Sequence, residues 1–425
     1  GIGIIGYGLI GRIHTRNFLA QPDAQIVGVA ETHRPRLAAA AELVGGGVRQ
    51  YTDFRRLLDN KEVQAVVVNT PDHWHALMTM LACAAGKDVY VEKPLTLFVR
   101  EGRWMVEVAR RYRRGVQVGT QQRSGPHYQR ARELIRQGKL GRLVSVQCNY
   151  FRNVSPGFGS PPDQPPPADL DWDLWLGPAP LRPYNPNRGI YHFRWFWDYS
   201  GGQMTNLGQH SLDTVHWCTE VTGPTAVTSC GGRFFLEDNC EVPDVQDTII
   251  EYPGFQTVCQ YRESTGGGAQ TGMGGVVFLG NHGTLTVGRD GYELVPDRKE
   301  NPINIVARII GGHPVGGPQP VPEPSTTFWT QAAKDTTGDW KEQYVLHVRN
   351  FLDCVKSRRE PNSDIESAHR VATVCHLANI SLHTGRRIRW DADKEEIIDD
   401  AAAARLLTRP YRKPWDAELK ALGVA

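Results

Sequence analysis

The sequence predicts an α/β protein of two domains: a doubly wound parallel sheet, and then an α/β domain whose large, open sheet is mostly antiparallel. The chain has 425 residues, which is long for a single hydrophobic core. Apolar strands alternate with helices through its first part, an arrangement typical of parallel sheets. Strand candidates then follow one another without helices between them, which indicates antiparallel pairing. We place the domains at residues 1–123 and 124–425.

The composition is that of an ordinary globular protein, with 40% hydrophobic and 22% charged residues. Its 48 basic and 46 acidic side chains leave a formal net charge of +2, which gives no electrostatic basis for binding nucleic acid or a membrane surface. No apolar run approaches the roughly 18 residues that a membrane-spanning helix needs. We therefore expect neither a nucleic-acid nor a membrane partner.

Neither the cysteines nor the histidines predict a metal site. The eight cysteines are scattered and form no CxxC pair, so we expect no structural zinc, although spacing alone leaves disulfides open. His369, His376 and His383 recur at intervals of seven on a predicted helix, where such positions lie about 10 Å apart. That separation is too large for one metal ion.

The chain opens at Gly1, without Met and already inside an apolar run. We expect the first residues of this strand, and any export leader, to lie outside the sequence. The location of the protein, in a bacterial cytoplasm or periplasm, is therefore left open.

The opening segment GIGIIGYGLIGRIH predicts a dinucleotide-binding turn. A short apolar strand precedes three glycines spaced as G-x-G-x-x-G, and residues 9–20 read as a helix. The glycines permit a tight turn, close approach of the backbone to a pyrophosphate and close packing of helix on strand. The helix N-terminus then offers unpaired N–H groups to the phosphates. These features predict a Rossmann fold with cofactor contacts from Gly6, Tyr7, Gly8, Leu9, Ile10 and Gly11.

A second apolar strand, AQIVGVAE, ends on Glu31, which lies 20 residues after Gly11. A carboxylate at this position accepts hydrogen bonds from the ribose hydroxyls of an adenosine and repels a 2′-phosphate. The sequence therefore favours NAD over NADP, although Arg34 follows closely and softens the preference. The alternative is a solvated strand end.

Further strand ends carry polar residues that we assign to cofactor binding. Strands are predicted at residues 64–70, 88–91 and 115–122. Ligands of doubly wound sheets lie beyond the carboxyl ends of the strands. The candidates there are Thr70, Pro71, His75, Glu92, Lys93 and Gln121.

The segment DVYVEKPL ends a buried strand on Glu92 and Lys93. Pro94 disfavours helical dihedrals at Lys93 and holds it extended. A lysine fixed near a nicotinamide can donate a hydrogen bond to a reacting hydroxyl or carbonyl oxygen, and burial lowers its pKa. We therefore predict that Lys93 is catalytic, with a salt-bridged strand end as the alternative.

Three segments together, GIIGYGLIGRIH, NTPDHWH and VEKPL, resemble the Gfo/Idh/MocA family of sugar and polyol oxidoreductases. The resemblance covers nearly the whole chain but does not identify a substrate. It implies that Lys93 acts in catalysis and contacts the cofactor, and that its bond to Pro94 is often cis. It also implies a second domain whose open sheet makes the contact of a homodimer or homotetramer.

The second domain is predicted as a run of strands between two groups of helices. Strands are expected at residues 142–150, 226–235, 246–252, 256–263, 276–280 and 283–288, and helices at residues 127–137, 342–357 and 365–384. Residues 160–170 and 311–325 are rich in proline or glycine, which predicts surface loops and possible lids or inter-subunit arms.

The segment SGGQMTNLGQHSLDTVHW predicts a catalytic helix that begins near Thr205. On it Asn206, His210 and Asp213 fall at i, i+4 and i+7 and so share one face. The resemblance implies a similar helix in the family; in its inositol dehydrogenases an Asp and a His of that helix, together with the lysine that corresponds to Lys93, perform the proton chemistry. Asn206 stands in place of that Asp, so we expect it to orient His210 by hydrogen bonding, while Asp213 supports His210 or binds a hydroxyl.

The region before this helix is rich in aromatic and basic residues. Aromatic faces stack on the C–H faces of sugars, while Arg, His and Tyr reach hydroxyl groups. Most of these aromatics are expected in the core, with two or three lining a pocket. The substrate-binding candidates are Arg123, Tyr150, His192, Arg194 and Trp197.

These observations predict an NAD-dependent oxidoreductase that acts on a sugar, polyol or glycoside hydroxyl. In it His210 takes the hydroxyl proton and Lys93 stabilises the charge that develops on the oxygen. Two alternatives remain: a glycoside hydrolase or lyase that oxidises its substrate transiently with retained NAD, and a non-catalytic sugar or nucleotide sensor. A sensor needs neither Lys93 nor His210, which argues against that alternative.

Overall fold

The first domain contains a six-stranded parallel sheet with helices packed against it. The computed structural model describes residues 1–267, 275–299 and 326–424. The strands are β1 (Ile2–Ile5), β2 (Ile26–Ala30), β3 (Arg49–Tyr51), β4 (Ala65–Val68), β5 (Asp88–Val91) and β6 (Val116–Val118), in the order β3-β2-β1-β4-β5-β6. The order reverses between β1 and β4, so the switch point of the sheet faces the glycine loop.

Helices connect these strands and carry the chain out of the domain. They are α1 (Leu9–Leu19), α2 (Arg34–Val44), α3 (Phe54–Leu58), α4 (Asp72–Ala84) and α5 (Val99–Arg111). A 3-10 turn, Gln121–Ser124, then leads into α6 (Pro126–Arg136). The predicted alternation of strands and helices is confirmed, and β3 and α3 are elements that the sequence reading did not include.

The second domain is built on a ten-stranded sheet in the order β14-β13-β12-β11-β7-β10-β9-β8-β15-β16. Its strands are β7 (Leu143–Phe151), β8 (Ala226–Gly232), β9 (Val245–Tyr252), β10 (Phe255–Arg262), β11 (Val276–Gly280), β12 (Gly283–Gly288), β13 (Gly291–Pro296), β14 (Ala333–Asp335), β15 (Ile388–Asp391) and β16 (Glu396–Ile397). The sheet is mostly antiparallel, as predicted, but β7 and β10 run parallel.

The helices of this domain cover one face of the sheet or return to the first domain. They are α7 (Trp172–Leu176), α8 (Gly202–Asn206), α9 (Gly208–Thr219), α10 (Trp340–Ser357), α11 (Ile365–Thr384), α12 (Ala401–Ala404) and α13 (Trp415–Ala421), with 3-10 turns at His192–Trp195 and Arg405–Leu407. The expected single helix from Thr205 is thus two helices that meet at Leu207.

One predicted strand of this domain differs from the structure. The strand expected at 226–235 ends at Gly232, because Phe234 and Phe235 are 63% and 67% exposed and their N–H groups bond to Asp244 instead of a neighbouring strand. The predicted loop at 160–170 contains no helix or regular strand, whereas the one at 311–325 lies outside the described residues.

The C-terminal part of the chain packs on the first domain. Val348 and Phe351 of α10 share a core cluster with Phe18 and Tyr90, and Trp415 of α13 stacks near Phe54. The core of the parallel sheet therefore includes residues from beyond position 123.

Three further features concern membrane spans, metal sites and disulfides. No helix among the described residues is long and apolar enough to cross a membrane. Within the same residues no group of three or more His, Cys, Asp or Glu side chains could hold a metal ion. All eight cysteines are free thiols.

Candidate functional site

The glycine loop between β1 and α1 has the geometry of a phosphate-binding turn. Gly6 has a φ of +86°, and a Cβ on Gly11 would lie 2.4 Å from the carbonyl oxygen of Gly6. A Cβ on Gly8 would meet no atom closer than the Arg36 guanidinium at 3.8 Å. Gly6 and Gly11 are therefore required by the turn and its packing, while Gly8 leaves open space for a ligand.

Glu31 lies at the end of β2 and is bonded to the glycine loop. Its Oε2 accepts a hydrogen bond of 2.7 Å from the Tyr7 N–H, and its Oε1 accepts one of 3.1 Å from the His33 N–H. The carboxylate thus joins the loop to the β2–α2 turn. The Thr32 hydroxyl donates a further bond of 3.3 Å to Oε1, and Glu31 lines the cleft described next.

A cleft extends along the carboxyl ends of β1, β2 and β4. Of the predicted cofactor residues it is lined by Gly6, Gly8, Leu9, Ile10, Glu31, Thr70 and Pro71, and other lining residues include Arg36, Asn69, Trp74, Leu174 and Trp175. The Asn69 amide and the Thr70 hydroxyl are buried and have no partner among the described residues. This open glycine turn, the carboxylate and the unpaired polar atoms fit a dinucleotide such as NAD.

Several other predicted cofactor residues are engaged elsewhere. Arg34 donates through Nη2 to the Ala168 carbonyl, so Arg36 and not Arg34 is the arginine in the cleft. His75 contacts the carbonyl oxygens of Thr70 and Pro94 through both ring nitrogens. The Tyr7 ring is buried in the core.

Glu92 and Gln121 are buried and are not among the residues that line the cleft. Glu92 pairs with the buried His14 at 2.7 Å, and although burial opposes ionisation this pairing holds the pKa of Glu92 below its ordinary value. Its other oxygen accepts from the Lys93 N–H. Gln121 is buried, and its side-chain nitrogen has no partner within the described part of the chain.

A segment of the second domain, residues 168–176, crosses the β2–α2 turn, and we call it the strap. The Asp171 N–H donates to the Thr32 carbonyl, the Arg34 N–H donates to the Asp169 carbonyl, and Leu170 pairs with His33 as a β-bridge. Beyond this crossing, the strap residues Leu174 and Trp175 line the cleft. The second domain therefore closes the side of the cleft next to Glu31.

Lys93 is held at the end of β5 by its side-chain amine. Its Nζ donates to the main-chain oxygen of Asn206 at 3.0 Å and to its Oδ1 at 2.9 Å. Burial, helped by the charges of Arg194 and Arg289 and opposed by Glu92, lowers the pKa of Lys93 to about 8. The Lys93-Pro94 bond is cis, as the family resemblance implies.

His210 is oriented by a residue that the sequence reading missed. Its Nδ1 lies 2.7 Å from the Oε1 of Gln122. An amide oxygen only accepts, so Nδ1 carries the proton and Nε2 keeps a lone pair. Burial lowers the pKa of His210 well below its ordinary value, with further lowering from Lys93 and Arg289. Our expectation that Asn206 orients His210 is corrected: Asn206 binds Lys93.

The Asn206 side chain is fixed by a chain of hydrogen bonds behind it. Its Nδ2 donates to Gln203 at 3.1 Å, and Gln203 donates to Glu263 at 2.6 Å. Glu263 in turn pairs with Arg152. Because Gln203 gives its own N–H to Glu263, its oxygen needs a donor, which an amide at position 206 supplies and a carboxylate does not.

Asp213 and Arg123 form a buried ion pair. The Arg123 Nε and Nη2 donate to the two carboxylate oxygens at 2.8 and 2.6 Å. Burial raises the pKa of Asp213 and is opposed by Arg123. This contradicts the expectations that Asp213 supports His210 and that Arg123 is available to a substrate, because each charge is matched by the other.

A second cavity, of about 1080 Å³, lies beside His210 between α9, β7 and the β12–β13 turn. Its lining includes the predicted Tyr150, together with Gln122, Tyr128, Asn149 and Arg289. We call it the substrate cavity. Arg194 lines the dinucleotide cleft instead. His192 packs on Phe158 at 4.1 Å and Trp197 on His383 at 4.3 Å, and neither lines this cavity.

The site residues that we did not predict differ in how clearly the sequence indicated them. Asn69 and Gln122 each adjoin a residue that was predicted, at the end of a predicted strand. Arg36 lies two residues beyond Arg34 in the same turn of α2. Arg289 had no local signal, because β13 after it was not predicted.

Comparison with protein families gives two matches, which together cover more than half of the chain. Residues 1–120 match a model described as oxidoreductase family, NAD-binding Rossmann fold. Residues 132–228 and 337–417 match a model described as oxidoreductase family, C-terminal alpha/beta domain.

Curated relatives are similar over part of their length. The rhizopine catabolism protein MocA of Rhizobium meliloti is 26% identical over 218 residues, which are 51% of this chain and 56% of that protein. Inositol 2-dehydrogenase 2 of Saccharopolyspora erythraea is 34% identical over 185 residues, 41% of this chain and 53% of that protein. The chain thus spans about half the length of the curated relatives that it matches.

Solved structures share the fold at low identity. WlbA dehydrogenase of Bordetella pertussis, in complex with NADH and UDP-GlcNAcA, has a TM-score of 0.64 at 19% identity, covering 92% of this chain and 98% of that one. A levoglucosan dehydrogenase in complex with NADH and levoglucosan has a TM-score of 0.65 at 19% identity, covering 91% and 98%. With both family models matched in order along the sequence, the chain belongs to the Gfo/Idh/MocA oxidoreductase family and carries its NAD-binding Rossmann domain.

Proposed function

We propose that this protein is an NAD-dependent oxidoreductase that transfers hydride between a CH–OH group of a sugar, polyol or glycoside and the nicotinamide ring. The observation that carries the proposal is the convergence of Lys93 and His210. Lys93 is within electrostatic reach of Arg194, which lines the dinucleotide cleft, and of Arg289, which lines the substrate cavity with His210. This supports a mechanism in which the two residues act where a cofactor in the cleft meets a substrate in the cavity.

His210 is the general base in this proposal. With its proton on Nδ1 and its pKa well below the ordinary value, the ring is neutral near pH 7 and Nε2 can accept the hydroxyl proton. Gln122 cannot stabilise an imidazolium by charge, so the proton accepted by His210 is readily passed on.

Lys93 is the electrostatic partner. With a pKa lowered to about 8, its amine is mostly protonated at pH 7 and can donate to the substrate oxygen as negative charge develops there. Its two bonds to Asn206 fix its position before substrate binds. NAD, when bound, supplies the hydride acceptor.

The cofactor is held by residues that already form its cleft. Gly8 leaves space for the pyrophosphate, and Glu31 offers its free lone pairs to ribose hydroxyls. Asn69 and Thr70 present unpaired polar atoms at the end of β4. The substrate class is supported by the relatives, whose names include inositol and levoglucosan dehydrogenases.

The test is a panel of sugars, polyols and glycosides assayed with NAD by absorbance at 340 nm, together with calorimetric titration of NAD. Oxidation of any member that is lost in Lys93→Ala supports the proposal. NAD binding with neither turnover nor substrate-induced NADH would contradict it and favour the non-catalytic sensor.

A second candidate is a redox-neutral glycoside hydrolase or lyase in which NAD is reduced and reoxidised within one turnover. The strap favours it, because main-chain bonds from Asp171 and Arg34 close the cleft beside Glu31 and must break to open that side. A cofactor enclosed in this way leaves slowly and is suited to recycling in place.

The purified protein should distinguish the two. Denatured protein is assayed for released NAD(H), and the dissociation rate is compared in Leu174→Ala, which opens the strap side of the cleft. Leu181→Ala is the control, since Leu181 is 72% exposed and outside the lining. Near-stoichiometric cofactor with cleavage of a glycoside favours recycling, whereas empty protein favours an ordinary dehydrogenase.

We also propose a homodimer or homotetramer that forms through the outer face of the second sheet. Ile249 is 46% exposed there and is directly paired with Val258. Ile249→Asp should lower the mass measured by light scattering, and Leu43→Asp, at an exposed position of α2 in the first domain, is the control. A monomeric wild-type protein would contradict this proposal.

A further inference from the structure

The substrate cavity has an uneven charge. Its described lining contains Arg289 and the base His210, together with tyrosine and amide side chains, but none of these lining residues is an Asp or Glu. Lys93 lies near Arg289 and His210. Its charge is the second cause, after burial, of the low pKa of His210. A neutral sugar would leave this positive charge uncompensated.

Arg289 differs from three arginines on neighbouring segments. Arg123 is paired with Asp213, Arg152 with Glu263 and Arg262 with Asp247. By contrast, Arg289 lies beside the Tyr344 hydroxyl and has no carboxylate at ion-pair distance among the residues that the structure describes. It is the arginine in the described lining of the cavity, and its charge is left for an anionic group of a ligand.

The main chain holds Arg289 at the cavity. It lies in the tight turn between β12 and β13, where Gly288 pairs with Gly291, and its carbonyl accepts a hydrogen bond of 3.1 Å from Gln343. Gly291 has a φ of +147° that favours glycine, and a Cβ there would lie 1.9 Å from the Asp335 carbonyl oxygen. The turn is thus held on both sides, and Arg289 is one of the residues that line the cavity.

We propose that the natural substrate is a sugar acid whose carboxylate binds Arg289 while its reacting hydroxyl faces His210 and Lys93. This inference rests on the proposed oxidoreductase function and names its substrate class. A planar guanidinium matches a carboxylate by two parallel hydrogen bonds, and such charge-assisted pairs are strong and directional. Tyr150 and Asn149 stand in the same cavity and suit the remaining hydroxyls.

The experiment compares acids with their neutral partners. D-glucuronate and D-galacturonate are tested against D-glucose and D-galactose, free and as methyl glycosides, in the presence of NAD, by 340 nm rates and by the shift of the melting temperature. We expect each acid to bind at least about tenfold more tightly than its neutral partner, as for one charged hydrogen-bonded pair. Arg289→Ala should remove that preference, and Arg289→Lys should restore part of it.

Controls separate the possible failures. Arg142→Ala, at an exposed position before β7, should change nothing. Neutral sugars that bind as well as the acids, or an acid preference that survives in Arg289→Ala, would overturn the inference while leaving the oxidoreductase proposal intact. Preference for D-glucose 6-phosphate over both acids would also overturn it. Loss of NAD binding in the wild type would instead mark failure of the proposed function.

Discussion

The dinucleotide cleft and the substrate cavity are built in different ways. The cleft is formed largely by the glycine loop and by residues that follow strand ends within one domain. The cavity is formed by side chains from separate segments, with Gln122, Tyr150, His210, Val276 and Arg289 each on a different element or turn. We therefore expect cofactor binding to depend largely on main-chain geometry and substrate binding to depend on individual side chains.

This difference indicates where specificity can change. We expect a substitution in the cleft to change cofactor binding, and a substitution in the cavity to change which substrate binds without disturbing the glycine loop. Lys93 is among the lining residues of neither pocket, but it connects the two domains, since it follows a strand of the first and its Nζ donates to Asn206 of the second. The largest effect is therefore expected at this residue.

Lys93→Ala should lower turnover by more than about a hundredfold, the lower range for a positioned acid–base group. The variant loses both the donor to the substrate oxygen and the bonds to Asn206. Turnover is measured at saturating NAD, with Lys61→Ala as an exposed control. Unchanged turnover would remove Lys93 from the mechanism and leave His210 to act alone.

Gln122→Ala tests the cavity by itself, because Gln122 positions His210 from the first domain's last turn. Without the amide oxygen the imidazole loses its preferred tautomer, and we expect kcat to fall by about ten- to a hundredfold. The KM for NAD should stay the same. Gln122→Glu should also raise the pKa of His210, so that activity is lost at a higher pH on the acid side.

The exposed Gln137→Ala is the matched control for Gln122. An effect on NAD affinity equal to the effect on kcat would mean that Gln122 supports the fold rather than the base. An unchanged pH profile in Gln122→Glu would contradict the contact between this side chain and His210.

Asn206→Asp tests the contact between Lys93 and Asn206 through the pH dependence of the initial rate. The pKa of Lys93 is about 8, so initial rates should fall as the pH rises through that value and the amine loses its proton. A carboxylate 2.9 Å away would favour the charged amine and move the fall upward by about one pH unit or more. A profile identical to wild type would mean that Lys93 does not limit the rate as a proton donor.

The sequence predicted the cleft better than the cavity for a physical reason. Gly6, Gly8 and Glu31 lie within one β-α-β unit, where spacing along the chain determines spacing in the fold. Arg289 and His210 come together only through the ten-stranded sheet, whose register a single sequence does not determine. The parallel pairing of β7 with β10 is a further consequence of that topology.

The helix that carries His210 illustrates the same limit. Its residues follow an i, i+4, i+7 pattern, which predicts one shared face. The helix is instead broken at Leu207, and the three side chains have different partners. Asn206 bonds Gln203, His210 bonds Gln122, and Asp213 bonds Arg123. Local periodicity identified these polar residues, but their hydrogen bonds are set by other segments.

The smallest effect is expected at Glu31, where the cleft relies on main chain as well as side chain. Glu31→Ala should weaken NAD binding by about fivefold, as for one lost hydrogen bond of about 1 kcal/mol, and leave NADP binding less affected because the repulsion of a 2′-phosphate is removed. Calorimetric titration of both cofactors measures the difference, with the exposed Glu62→Ala as control. Since Glu31 also anchors the Tyr7 N–H, equal weakening of NAD and NADP would mean that its carboxylate supports the glycine loop and does not bind the ribose.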